Sequence, residues 1–172
     1  RDDLVGMGGD DATRDLVLPT TITGSYPRPA WFTEGLHRRA FKDALAGVEA
    51  VLFVTPEYNR SIPGVLKNAI DWASRPYGKN SFTRKPSAVI GTSPGMIGTA
   101  LAQQALRGVL GFCNSPQMNA IEAYIQFKPG LITDDGEVTD SSTEEFLRDY
   151  MAQFHRFISL VYTALPRPEP IP

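Results

Sequence analysis

Two short segments carry the residue types from which a ligand site can be built. Pro56, Glu57, Tyr58, Asn59, Arg60, Ser61 and Ile62 bring together a carboxylate, a phenol, an amide, a guanidinium and a hydroxyl. Thr92, Ser93, Pro94, Gly95, Met96, Ile97 and Gly98 combine hydroxyls with two glycines, which let a backbone come close to a flat ligand or take a positive φ. Glycine loops between strand and helix are common, so the second segment by itself is equally consistent with a plain turn. The remaining reactive residues are sparse. His37 and His155 each lack a second His, Cys or carboxylate at ligand spacing, so a metal site is not expected. The expectation is a surface position for His37 and an edge-of-core or interface position for His155. Cys113, the single cysteine, follows apolar Leu110 and Phe112 and reads as a buried reduced thiol rather than a nucleophile. Ser93 precedes Pro94 and so does not form a nucleophile elbow. Gly95 and Gly98 lack the further glycine and downstream acid of a dinucleotide fingerprint, so a dinucleotide, if one binds at all, would bind only transiently.

Elements that must position the two segments are legible around them. Ala50–Val54 is a short, continuous apolar run, as expected of a parallel strand covered on both faces. After the loop, Pro63 suits the first turn of a helix starting near Ile62, with Ser61 as a possible cap. Val65, Leu66, Ala69, Ile70 and Ala73 then recur at helical spacing. The pattern repeats with a strand at Ser87–Thr92, the glycine loop, and a helix carrying Ala100, Leu101, Gln104, Ala105, Val109 and Leu110. In an open α/β sheet a ligand sits beyond the carboxyl ends of the strands, where both loops would open on one edge. Downstream, Asn119–Ile125 reads as a last strand and Asp134, Asp135 and Gly136 as a turn. Ser142 with Glu145 forms a capping-box pattern ahead of a long terminal helix. Its stripe of Phe146, Leu147, Tyr150, Met151, Phe154, Phe157, Ile158 and Val161 is expected to be core or subunit interface.

The ungapped run from Pro56 to Trp72 resembles the signature loop and helix of the flavodoxin-like NAD(P)H-dependent FMN reductases, the group containing quinone, chromate and azo-dye reductases. The resemblance implies an FMN cofactor and NAD(P)H as transient co-substrate. It implies that Pro56 to Ile62 supply backbone donors and acceptors to the polar edge of the flavin ring, with Tyr58 and Asn59 shaping the pocket. Thr92 to Gly98 would form the other wall, and Glu57 would reach across a subunit boundary. By the same resemblance the enzyme is a homodimer or homotetramer acting on a small-molecule electron acceptor.

Residues 40 to 160 carry this likeness; the amino-terminal third departs from it. The family opens with a strand and a Gly-Ser-x-Arg phosphate loop, whereas residues 1–11 here show no apolar period. Gly24, Ser25 and Arg28 can imitate the phosphate loop, with the hydroxyl and guanidinium as donors. Against this, Pro27 and Pro29 remove amides that an anion nest would use, and no amphipathic helix of adequate length separates this loop from the helix Glu34 to Leu45. The alternative is a proline-stiffened surface turn. Leu18 to Pro29 also resembles the opening of cobalamin-independent methionine synthase-type methyltransferases, but it includes no zinc ligand and carries no function across.

Bulk properties fit one domain. The chain has 172 residues, 42% of them hydrophobic, with a net charge of −2 and a pI near 5.7. That suffices for one core and argues against a polyanionic partner such as nucleic acid. No apolar run approaches the roughly 18 residues of a membrane span and no signal segment opens the chain, so a cytoplasmic location is expected. Together these observations predict an α/β fold: a three-layer, flavodoxin-like, doubly wound parallel sheet whose first β-α-β unit is incomplete or altered. A single domain would run over residues 1–165, with residues 1–33 atypical and residues 166–172 a proline-rich tail. The expected activity is FMN-dependent transfer of two electrons from NAD(P)H to a quinone, azo, chromate or flavin acceptor. A flavodoxin-like FMN-binding module and a degenerate, non-catalytic interaction protein remain as alternatives.

Overall fold

The structure, a computed structural model, describes residues 36–166. Segment 1–33, with Gly24, Ser25 and Arg28, lies outside the described residues, as does most of the proline-rich tail.

Among the described residues seven elements follow one another: α1 (Leu36–Ala46), β1 (Val51–Val54), α2 (Gly64–Ala73), β2 (Ser87–Ser93), α3 (Ala100–Phe112), β3 (Ala123–Gln126) and α4 (Ser141–Ala164). The strands form one parallel sheet in the order β1-β2-β3. Val51 pairs with Ser87 and Val54 with Ile90, while Ile90 to Ser93 pair with Ala123 to Gln126 on the other side. Side chains of β2 alternate between the two faces, as the pleat requires. Val89 joins Phe53 in a cluster with Leu45 of α1, Ile70 and Ala73 of α2, and Leu106 and Leu110 of α3. Ala88 and Ile90 point the other way, into a cluster with Met118, Ala123 and the α4 residues Tyr150 and Phe154. Helices therefore cover both faces, which makes the expected three-layer α/β sandwich.

The terminal helix shows how its aromatic stripe is used. Tyr150 is fully buried, and its hydroxyl donates to the Val89 carbonyl at 2.8 Å, so the polar atom it carries into the core is satisfied. Burial pushes its pKa up, against the opposing influence of Arg107. The stripe is core along Tyr150, Phe154 and Val161. Of the two positions expected for His155, the core edge does not hold, since the residue is exposed: it sits one residue past Phe154 and turns about 100° away from the buried face.

Several local expectations shift. Ser61 does not cap α2: its backbone is taken up by a bridge to Tyr58, and Pro63 is the N-cap residue, with no side-chain cap bond. Ser142 does not cap α4. That place belongs to Asp140, whose carboxylate accepts from the Thr143 amide at 2.8 Å. The last strand is shorter than expected, since Met118 still bonds Ser87 but ladder pairing starts only at Ala123. Nor is β1 covered throughout: it is the sheet edge among the described residues, and Val54 at its end is 73% exposed. Cys113 is buried as expected, and desolvation raises its pKa. The turn before α4 forms with Gly136 at φ 85°.

Candidate functional site

Because β1 and β2 are parallel neighbours, the loops that follow them leave the sheet on the same edge. Thr55 continues the ladder by donating its amide to Ile90, and the chain then turns at Pro56. Tyr58 and Ser61 exchange two backbone hydrogen bonds, of 2.9 and 3.0 Å, around Asn59 and Arg60. Both central residues have positive φ, 50° and 65°, the signature of a type I′ turn. Asn tolerates this conformation well; Arg does so at a cost. Tyr58, Asn59 and Ser61 are exposed, while Ile62 is half-buried against the core.

The second loop is shaped by its surroundings. Ser93 and Pro94 are fastened to β3, since the Phe127 amide donates to the Ser93 carbonyl and Gln126 Nε2 donates to the Pro94 carbonyl. The Ser93 hydroxyl accepts from the Gly95 amide, and Thr92 Oγ1 donates to the Ile125 carbonyl. Gly98, at φ 57°, lies so close to β3 that a Cβ there would stand 2.9 Å from the Ile125 nitrogen. Pro94, Gly95 and Met96 are exposed at the tip.

The two loops meet over Gly91. A Cβ on it would fall 2.2 Å from the Thr55 carbonyl oxygen and 2.4 Å from Thr99 Oγ1. Thr55 and Thr99 are both buried, so the junction is a closed floor beneath two open loops. Among the described residues, the amides of Asn59, Ile62, Met96 and Ile97 have no acceptor. A floor closed by a missing side chain, with unpaired amides in both loops that leave it, fits a flat ligand that has a polar edge.

Two residues that sequence patterns did not single out for these roles hold the junction. Gln103, on α3, is fully buried, and its Nε2 donates to Thr99 Oγ1 and to the Ala123 carbonyl at 2.9 and 2.7 Å. Its Oε1 is buried without a partner. On α3, Ala102, Gln103, Leu106 and Leu110 point inward, while Leu101 and Gln104 are exposed. The other is Glu57, whose carboxylate turns into its own chain. Its Oε2 accepts from the amides of Leu101 and Ala102 at 3.0 and 3.1 Å. Gln103 left no trace as an apolar period, and Glu57 stands 44 positions from its partner.

A family model described as NADPH-dependent FMN reductase matches residues 14–130, reaching into the atypical amino-terminal segment. A 2-hydroxy-1,4-benzoquinone reductase from a Burkholderia species is 47% identical over 120 residues, covering 70% of this chain and 66% of the relative. A quinone reductase of Pseudomonas putida is 45% identical over 122 residues, covering 71% and 65%. The chain thus spans slightly less than two thirds of the length of these two relatives. Among solved structures, the flavoenzyme NAD(P)H:(acceptor) oxidoreductase FerB from Paracoccus denitrificans superposes with a TM-score of 0.74 at 45% identity, covering 83% of this chain and 76% of that one.

Proposed function

The chain belongs to the NADPH-dependent FMN reductase family, and from that premise we propose that it binds FMN and transfers two electrons from NAD(P)H to a quinone-class acceptor. Azo compounds, chromate and free flavin are the further acceptors proposed. The observation that carries this reading is the junction of two loops, from adjacent parallel strand ends, over Gly91. Such a floor, with unpaired amides in both loops that leave it, suits an isoalloxazine ring.

The chemistry supplied by bound FMN is acceptance of a hydride equivalent from the nicotinamide and its delivery to the acceptor. The protein's part is to bind and orient. Pro56 to Ile62 offer main-chain amides and carbonyls to the ring's polar edge, with Tyr58 and Asn59 as side walls. Thr92, Ser93, Pro94, Gly95, Met96 and Gly98 form the opposite wall, where glycines leave room for the ring. No acid–base residue is assigned, since hydride transfer does not require one from the chain.

Gly24, Ser25 and Arg28 are the proposed phosphate contacts. On that basis Arg28→Ala weakens FMN binding about ten- to a hundred-fold and riboflavin binding hardly at all, since one charge-assisted contact contributes roughly 1.5–3 kcal/mol. The assembly proposed is a homodimer or homotetramer, supported by exposed Tyr58, Met96, Ile97 and Leu101 beside the site. A cytoplasmic location is proposed as well; among the described residues no helix is long and apolar enough to cross a membrane.

The purified protein is expected to be yellow or to take up FMN with quenching of its fluorescence, and then to oxidise NADPH when a benzoquinone is supplied. A colourless protein that leaves FMN fluorescence unchanged defeats the proposal. Flavin binding without quinone turnover would replace it with an electron-transfer module.

A further inference from the structure

We infer that Glu57 is a positioning residue: its carboxylate clamps the first loop onto the amino terminus of α3 and so holds both walls of the site in register, without contacting the ligand. The inference rests on the flavin reading above for what is positioned. The clamp itself stands on observed geometry.

The first amides of a helix have no intrahelical acceptor and are usually satisfied by a Ser, Thr, Asp or Asn immediately before them. Thr99 occupies that place in α3, but its side chain makes no capping bond. Its Oγ1 is taken by Gln103 Nε2 instead. The orphan amides of Leu101 and Ala102 are served by a single oxygen of Glu57, from the other loop. A carboxylate at this end also complements the positive pole of the helix. The second oxygen, Oε1, faces Arg60 Nη1 at 3.6 Å, and only 9% of the Glu57 side chain is exposed. Both oxygens are therefore engaged within the chain. Because the capping group is remote, α3 is capped only while the Tyr58–Ser61 turn is in place, and the turn is anchored only while α3 is formed. The next loop, Pro94 to Thr99, leads directly into that helix end, so the clamp fixes the distance between the two walls.

The test separates reach from charge. Glu57→Gln keeps the reach and one neutral acceptor oxygen; Glu57→Asp keeps the charge but is one methylene short of the two amides. Each variant, with Glu57→Ala, is titrated with FMN by fluorescence, and amide hydrogen exchange at Leu101 and Ala102 is followed without flavin. The expected result is that Gln stays within about three-fold of wild type in FMN dissociation constant, while Asp and Ala weaken binding about ten-fold, the size of a lost cap. Exchange at the two amides should accelerate in Asp and Ala alone. The opposite order, with Asp retaining FMN and Gln losing it, means that the charge touches the ligand and overturns the inference. Unchanged exchange in Asp and Ala overturns it too. Should the Ala variant not fold, the Gln and Asp pair decides alone. If wild type takes up no FMN, the functional proposal falls separately, and exchange in the same pair still decides whether the clamp exists.

Discussion

The two loops of the candidate site share one edge of the sheet but are stabilised in opposite ways. Pro56 to Ile62 closes on itself, through the paired bonds of Tyr58 and Ser61 around two residues of positive φ. Pro94 to Thr99 has little internal scaffolding beyond a Gly95–Gly98 turn and takes its shape from β3 and from the absence of side chains at Gly91 and Gly98. A loop closed on itself keeps its turn when its neighbours change, except at α3, to which Glu57 ties it. One moulded against its neighbours tolerates almost no change, because any added atom displaces backbone.

The contrast is broken most forcefully at Gly91. Gly91→Ala places a methyl 2.2 Å from the buried Thr55 carbonyl, and a backbone atom cannot swing aside. Expected destabilisation is at or above the top of the ~1–3 kcal/mol typical of overpacking, with FMN uptake lost. Chemical denaturation checks it; a loss below about 1 kcal/mol would show that the loops are not in forced contact. Gly98→Ala comes next. It combines a left-handed φ, which costs an L-residue roughly 1–2 kcal/mol, with a 2.9 Å approach to β3. Its effect should fall on the second wall, weakening flavin binding while the Tyr58–Ser61 turn keeps its amide protection.

How far the sequence discloses such relations depends on their range. Strands β1 and β2, helices α2 and α3, and the edge on which both loops open were legible because each rests on a local apolar run or period. Caps were misread wherever several polar residues compete within a few positions: Ser61 is drawn into the turn with Tyr58, and Asp140 displaces Ser142. The choice depends on backbone angles that residue type does not determine. Glu57 and Gln103 were opaque for a different reason. Their partners lie on other elements, so only the assembled sheet brings them together. Gly24, Ser25 and Arg28 lie outside the described residues, so their phosphate role rests on resemblance alone.

A smaller effect sharpens the comparison from the first loop. Asn59→Ala puts a residue without a compensating side chain at φ 50°, for a cost of about 1 kcal/mol. Arg60→Gly relieves strain at φ 65° and gives up a long 3.6 Å ion pair to Glu57 of which only the Arg60 end is exposed, so it should be neutral or slightly stabilising. Thermal melts of the two variants should therefore move in opposite directions, or Arg60→Gly not at all. Equal losses would mean that the turn is held by side chains rather than by its backbone.

The smallest effect comes from a helix capped in the ordinary way, which gives the remote cap of α3 its control. Asp140 serves α4 from the position immediately before it, accepting from the Thr143 amide and from the hydroxyls of Ser142 and Thr143 at 2.8, 2.6 and 2.7 Å. Those hydrogen bonds, with the Ser142 hydroxyl first, lower its pKa from 3.8 to about 2. A carboxylate whose pKa is depressed on folding contributes stability above its unfolded pKa and loses it as pH falls through the folded value. Asp140→Ala should accordingly lower the melting temperature slightly at neutral pH, and the gap to wild type should close between about pH 4 and pH 2. Flavin affinity should not change, because this cap ties α4 to nothing but its own first turn. A Glu57→Ala variant should do the reverse, with a clear loss of FMN affinity. If Asp140→Ala weakened FMN binding as much as Glu57→Ala, capping as such would be the cause, and the distinction between a local cap and one that joins two loops would fail.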